Sequence, residues 1–139
     1  MTIRLSTERE QVARYLPRST RYVSANDRHV WIFEKGTEIG VTFEIALYFD
    51  PDENEPGYCA QLVSPEIETA WKSPHVGHIF SDGVICFGGA SMRTRKSLRE
   101  AISKSCLWAE GMAIMLVGQL NGQPCAFPFS NNNSEREVR

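Results

Sequence analysis

The clearest regularity in the chain is a two-residue alternation. Val41, Phe43, Ile45, Leu47 and Phe49 are apolar, while Thr42, Glu44, Ala46 and Tyr48 between them are small or polar-tipped. Successive side chains of a strand point to opposite faces, so this run predicts a strand with one wholly apolar face over a core. Two weaker runs flank it. His29 to Phe33 is apolar and β-prone, and Lys35-Gly36-Thr37 can reverse the chain, which predicts a hairpin. On the other side, the acidic turn-forming segment from Asp50 to Gly57 leads to a third run, Tyr58 to Val63, closed by Ser64-Pro65. The expectation is an antiparallel meander of three to four strands.

Helical spacing marks the two ends of this meander. Thr7-Glu8-Arg9-Glu10 has the form of a capping box, and Pro17 stops a helix after Leu16, with Val12, Ala13 and Leu16 as a narrow apolar stripe. Arg9, Arg14, Arg18 and Arg21 read as its solvated face. A second capping box, Ser97 to Glu100, opens the longest periodic segment, in which Leu98, Ala101, Ile102, Cys106, Ala109, Met112, Ala113, Leu116 and Leu120 recur at helical spacing. Such a helix is roughly 35 Å long and spans a sheet of three or four strands. Gly111 inside it predicts a bend or a close contact. Between meander and helix the chain is aperiodic, with Trp71 as its one large anchor.

Composition narrows the class without changing this outline. A chain of 139 residues can bury a core without metals or disulfides, so one α+β domain over 1–129 is expected, followed by a polar, Asn-rich tail over 130–139 that reads as mobile. A formal net charge of −2 offers no whole-chain reason to bind nucleic acid. The first residues are followed by charges rather than an apolar run, and the longest apolar run, Met112 to Val117, is far too short to cross a bilayer. A cytoplasmic protein with no membrane partner is expected. The four cysteines, Cys59, Cys86, Cys106 and Cys125, lack the paired spacing of a zinc site and read as thiols. Cys59 in its strand and Cys106 on its helical stripe read as core residues.

Chemistry concentrates between His75 and Gly89. That stretch holds two of the three histidines, one cysteine and a turn-forming Asp82-Gly83 pair, with Cys86 set between Ile85 and Phe87. A metal site built on His75, His78 and Cys86 would lack a fourth ligand. A Cys–His hydrolase would need Cys86 paired with His75 or His78 and oriented by Asp82, an awkward dyad within one short loop. Loop placement beside glycines still separates Cys86 from the other three cysteines.

The run His78, Ile79, Ser81, Asp82, Gly83, Ile85, Cys86 and Phe87 resembles the active-site loop of ubiquitin-conjugating enzymes, and looks closest to divergent bacterial members from ubiquitin-like conjugation operons associated with phage defence. The family's His-Pro-Asn tripeptide stands here as Val76-Gly77-His78, with Pro74-His75 just upstream. The order of predicted elements resembles the family's fold from about Thr7 to Leu120. The paired prolines that usually approach the loop are missing, and too few residues follow Asn121 for the family's two C-terminal helices, so a trimmed core is expected.

The resemblance implies a thioester on Cys86, formed with the C-terminus of a ubiquitin-like protein delivered by an activating enzyme and passed to an acceptor nucleophile. It implies no cofactor and no metal. A thioester donor is already activated, so exchange between thiols makes little demand for a strong local base. The later tetrahedral oxyanion needs a hydrogen-bond donor, which the family's Asn is credited with supporting; here His78 stands at that position, and His75 could bend back instead. Asp82, Gly83 and Ile85 would support the loop. Arg93, Arg95 and Lys96 beyond it either form a solvated helix start or recognise an acidic partner. A non-catalytic adaptor of the ubiquitin-variant type is the alternative, although such adaptors generally lack the cysteine.

Overall fold

The alternating run becomes the central strand of a sheet packed against one long helix. In the computed structural model, which describes residues 3–89 and 91–129, the chain forms α1 (Ile3–Tyr15), β1 (Arg21–Ala25), β2 (Arg28–Gly36), β3 (Thr42–Asp50), β4 (Gly57–Ser64), a single 3-10 turn (Thr69–Trp71) and α2 (Leu98–Leu120). The four strands pair in chain order and every pair is antiparallel. Phe43, Ile45 and Leu47 of β3 are completely buried, with Trp31 and Phe33 of β2 and Tyr58 and Ala60 of β4 beside them. Ala101, Ile102, Trp108, Ala109, Met112, Ala113 and Met115 of α2 complete this core, and Trp108 meets Phe43 edge-on at 5.4 Å between ring centres. Each large apolar side chain fully buried this way is worth about 1.5–3 kcal/mol, so α2 is held mainly by this face.

Two elements depart from expectation. β1 carries no apolar alternation and all five of its residues are exposed, so no periodicity announces it. It forms because Asn26 and Asp27 both adopt positive φ, 52° and 61°, the geometry of a two-residue hairpin turn that lays β1 along β2. α1 starts at Ile3 rather than at Thr7, which puts Thr7 inside the helix and dissolves the expected cap. Its inward stripe is Leu5, Glu8, Val12 and Leu16, and Ala13 is exposed. Pro17 does end the helix, after the Leu16 amide has bonded to the Val12 carbonyl at 3.0 Å.

The burial of Glu8 inverts the ordinary preference of a carboxyl group for water. The packing makes it tolerable by supplying two donors: Trp31 Nε1 donates to Oε1 and the Tyr58 hydroxyl to Oε2, each at 2.9 Å. Burial, reinforced by the bond to Glu8, pushes the Tyr58 phenol well above its usual range.

α2 begins where its cap predicts. Ser97 Oγ accepts the Glu100 amide at 3.1 Å and donates to Glu100 Oε1 at 3.2 Å. Its buried face also takes in Ser105, whose hydroxyl donates to the Ile102 carbonyl, and Trp108; Cys106 and Leu116 are only half-buried, and Leu120 is 84% exposed. The helix as a whole is long and apolar enough by length and composition to cross a bilayer, a point the six-residue run Met112 to Val117 hides. Half of its most apolar window is buried inside the domain, as for a core helix. The tail expected over 130–139 lies outside the described residues.

Candidate functional site

The stretch around Cys86 is tied down residue by residue. The Gly83 amide donates to the Phe80 carbonyl at 2.9 Å and the Phe80 amide to Val84 at 2.8 Å, closing a tight turn in which Gly83 sits at φ +90°, where a side chain would be strained. Asp82 Oδ1 accepts the Val84 amide, and Arg93 donates to Oδ2 at 2.6 Å. Burial by itself would raise the Asp82 carboxyl, but the bonds from Arg93 and from the Val84 amide outweigh it and hold the group below its ordinary value of 3.8.

Read alone, this stretch looks strand-poor; the structure stitches it to β4 on both sides of the cysteine. The Leu62 amide donates to Gly83 and the Ile85 amide to Ala60, at 2.9 and 2.8 Å. Farther along, Tyr58 and Arg95 exchange backbone bonds at 2.7 and 3.0 Å. Cys86 therefore rides on the sheet rather than on a free loop. Its own amide donates to the His78 carbonyl at 2.9 Å, with His78 at φ +54°, a left-handed conformation that histidine and asparagine adopt more readily than most residues. One residue earlier, the Gly77 carbonyl accepts Trp108 Nε1 of α2 at 2.9 Å, so the helix grips the loop directly.

His78 and Cys86 line one small cavity together with Phe87, with Lys104, Leu107 and Trp108 of α2, and with Phe127 and Phe129 from the segment after it. The space measures about 20 Å³, room for about one water molecule. Cys86 itself is only 3% exposed. The Phe127 ring packs on the His78 imidazole with centres 4.1 Å apart and a tilt of 32°.

Of the residues singled out from sequence, the structure gathers His78 and Cys86 and uses Asp82, Gly83 and the fully buried Ile85 to hold their loop. His75 is exposed and does not line the cavity; its amide bonds to Ser73 Oγ. Neither does Asp82, so an Asp82-oriented dyad on Cys86 is not assembled here. Among the described residues, no three His, Cys, Asp or Glu side chains gather as a ligand set. Two of the three expected partner-binding cations are engaged within their own loop. Arg93 pairs with Asp82 and lies over the Phe80 ring, and the half-buried Arg95 donates to the carbonyls of Phe87, Gly88, Ser91 and Thr94, bracing the segment behind Cys86. Lys96 is exposed.

Lys104, Trp108, Phe127 and Phe129 escape a reading of the sequence. Lys104, Trp108 and Gly111 fall at spacings of four and three, one face of a helix, which was a usable signal. Phe127 and Phe129 flank Pro128 in an aperiodic segment and carry no local signal of where they dock. The other cysteines stand apart from the cavity. Tyr58 and Ala60 face the core, so Cys59 between them faces the opposite side of the sheet, in register with Tyr48; burial, with Asp50 adding to it, pushes its thiol up to about 11. Burial raises Cys106 as well. Compared with family models, with curated proteins and with solved structures, the chain finds no match.

Proposed function

We propose that this protein is a ubiquitin-conjugating-like transferase that carries the C-terminus of a ubiquitin-like protein as a thioester on Cys86. The observation that carries this reading is the setting of Cys86. It follows a tight turn, leaves a four-stranded antiparallel meander and precedes a helix that crosses the sheet, with His78 bonded to its amide. In charging, Cys86 Sγ attacks the carbonyl carbon of the donor thioester, a new C–S bond forms, and the activating enzyme's thiol leaves with the electron pair of the broken one. In discharge, an acceptor amine attacks the same carbon, the C–S bond breaks as the amide forms, and the proton lost by the nitrogen ends on the departing Cys86 sulfur, with His78 N–H as the donor to the tetrahedral oxyanion. A cytoplasmic setting in a bacterial anti-phage conjugation system fits the resemblance of the loop.

One observation favours a second reading. A cysteine 3% exposed beside a cavity of about 20 Å³ meets no protein-sized donor in this conformation, as befits a binding adaptor in which the thiol only fills space. The two are separated by incubating the protein with ATP, an activating enzyme and its ubiquitin-like protein and resolving the products with and without reductant. The transferase gives an adduct that reductant removes, and Cys86→Ser turns it into one that reductant leaves intact. No adduct under conditions that charge the activating enzyme overturns the proposal.

A further inference from the structure

The segment after α2, whose Phe127 and Phe129 line the cavity beside Cys86, is held by an unusual device on α2. Gly111 and Gly118 are seven residues apart, two helical turns, and so lie on one face of the helix. A methyl group at Gly111 would stand 2.8 and 2.9 Å from Cε1 and Cε2 of Phe127 and closer still to Cζ; one at Gly118 would stand 2.8 Å from the Gln123 carbonyl oxygen. Between them, the Cys125 thiol faces the Ile114 carbonyl at 3.9 Å. Residues 123, 125 and 127 thus meet 118, 114 and 111 in turn. Two extended residues advance about 6.6 Å and three or four helical residues about 5–6 Å, so the segment runs back along α2 nearly straight, toward the cysteine.

We propose that residues 123–129 form an autoinhibitory strap: Phe127, seated in the glycine notch of α2 and stacked on His78, closes the approach to Cys86, and lifting the strap admits the donor thioester. The gating role rests on the transferase reading; a strap that limits access to the thiol does not. The strap is built to lift. Pro124, Cys125, Ala126 and Pro128 are exposed, and Phe127 and Phe129 are its two anchors. Among the described residues, one backbone–backbone bond ties it to α2, from the Gln123 amide to the Gly118 carbonyl at 2.8 Å. Few buried contacts and few backbone bonds mark the low-stability end of a fold, the part that opens without global unfolding. Opening also frees the face of the His78 imidazole that Phe127 covers.

The test is the rate at which iodoacetamide alkylates each cysteine of the full chain, read by mass spectrometry of the Cys86 and Cys59 peptides. Phe127→Ala removes the anchor that sits on His78 and leaves Phe129. Gly111→Ala pushes the ring out of its notch while favouring the helix itself, since alanine is the better helix former. Both variants are expected to speed alkylation of Cys86 by about tenfold, as the open fraction rises, and to leave Cys59 unchanged. An unchanged Cys86 rate in both variants overturns the strap, and so does a parallel rise at Cys59, which would mean general loosening. Thioester formation is then measured on the same proteins. Faster labelling without any charging leaves a thiol cover and removes the transferase; charging of the wild type as fast as Phe127→Ala leaves the transferase and removes the gate.

Discussion

Two segments, α1 and 123–129, are attached to the domain in opposite ways. α1 is locked through a buried carboxyl that accepts from Trp31 and Tyr58, both on the sheet, so losing the helix would strand two buried donors. The segment 123–129 is attached by two rings, two glycine notches and one backbone bond among the described residues, and losing it strands almost nothing. Directional bonds in a dry interior resist removal because each orphaned partner keeps its desolvation cost, whereas ring contacts at a surface are given up in proportion to area. One segment is built to stay and the other to leave, and the second shares a cavity with Cys86.

The contrast can be broken most severely at Glu8. Glu8→Ala leaves Trp31 Nε1 and the Tyr58 hydroxyl without their acceptor and is expected to cost roughly 3 kcal/mol, measured as a shift in urea midpoint at constant slope. A loss within a few tenths of a kcal/mol would mean that α1 is no better anchored than the strap. At the other end, His78→Ala asks whether the ring beneath Phe127 is chemistry or packing. Discharge of the thioester to a free amine is expected to slow by about tenfold or more, while charging, with Phe127 deprived of its partner, holds or quickens. Normal discharge with faster alkylation of Cys86 would leave His78 a packing role alone.

The smallest effect concerns the turn that carries Cys86. The Asp82–Arg93 pair is substantially exposed on both sides, so Asp82→Asn is expected to cost less than about 1 kcal/mol at pH 7. The carboxyl is held below 3.8 in the fold, so its contribution is present above that value and lost as pH falls through the lower, folded one. The stability difference between wild type and Asp82→Asn should therefore shrink toward zero when denaturation is repeated at progressively lower pH below 4. A difference that persists there would assign the effect to the Arg93 contact with the neutral group rather than to charge.

The residues themselves show why parts of this were legible in advance. β3 was readable because Phe43, Ile45 and Leu47 declare their face by alternation, and α2 because Ser97 and Glu100 mark its start. β1 was hidden, since five exposed residues have no inward face to declare; only Asn26-Asp27 hinted at the turn that makes it. α1 reads too short from sequence because Thr7 and Glu10 have the form of a cap, whereas the helix starts at Ile3 and Glu8 lies on its buried face. At the site, Cys86 and the Asp82-Gly83 turn were visible and His78 was placed by its position in the run. The bonds that Arg93 and Arg95 make are not legible in advance, because a sequence does not reveal that a guanidinium's neighbours will be a carboxylate and carbonyls of its own loop.

What the sequence determined alone is whatever depends on neighbours a few residues away: the alternation that fixes which face of β3 is buried, the cap that starts α2, and the turn that ends two residues before Ile85 and three before Cys86. Tertiary structure decided what depends on meetings across the chain. Glu8 finds Trp31 and Tyr58 at separations of 23 and 50 residues, β4 takes the cysteine segment onto its edge, and Phe127 returns along α2 onto His78, at the cavity that Cys86 also lines. Short-range patterns are set by backbone geometry, which every residue carries with it. Whether a buried thiol is sealed or merely covered depends on which distant side chain arrives to sit on it.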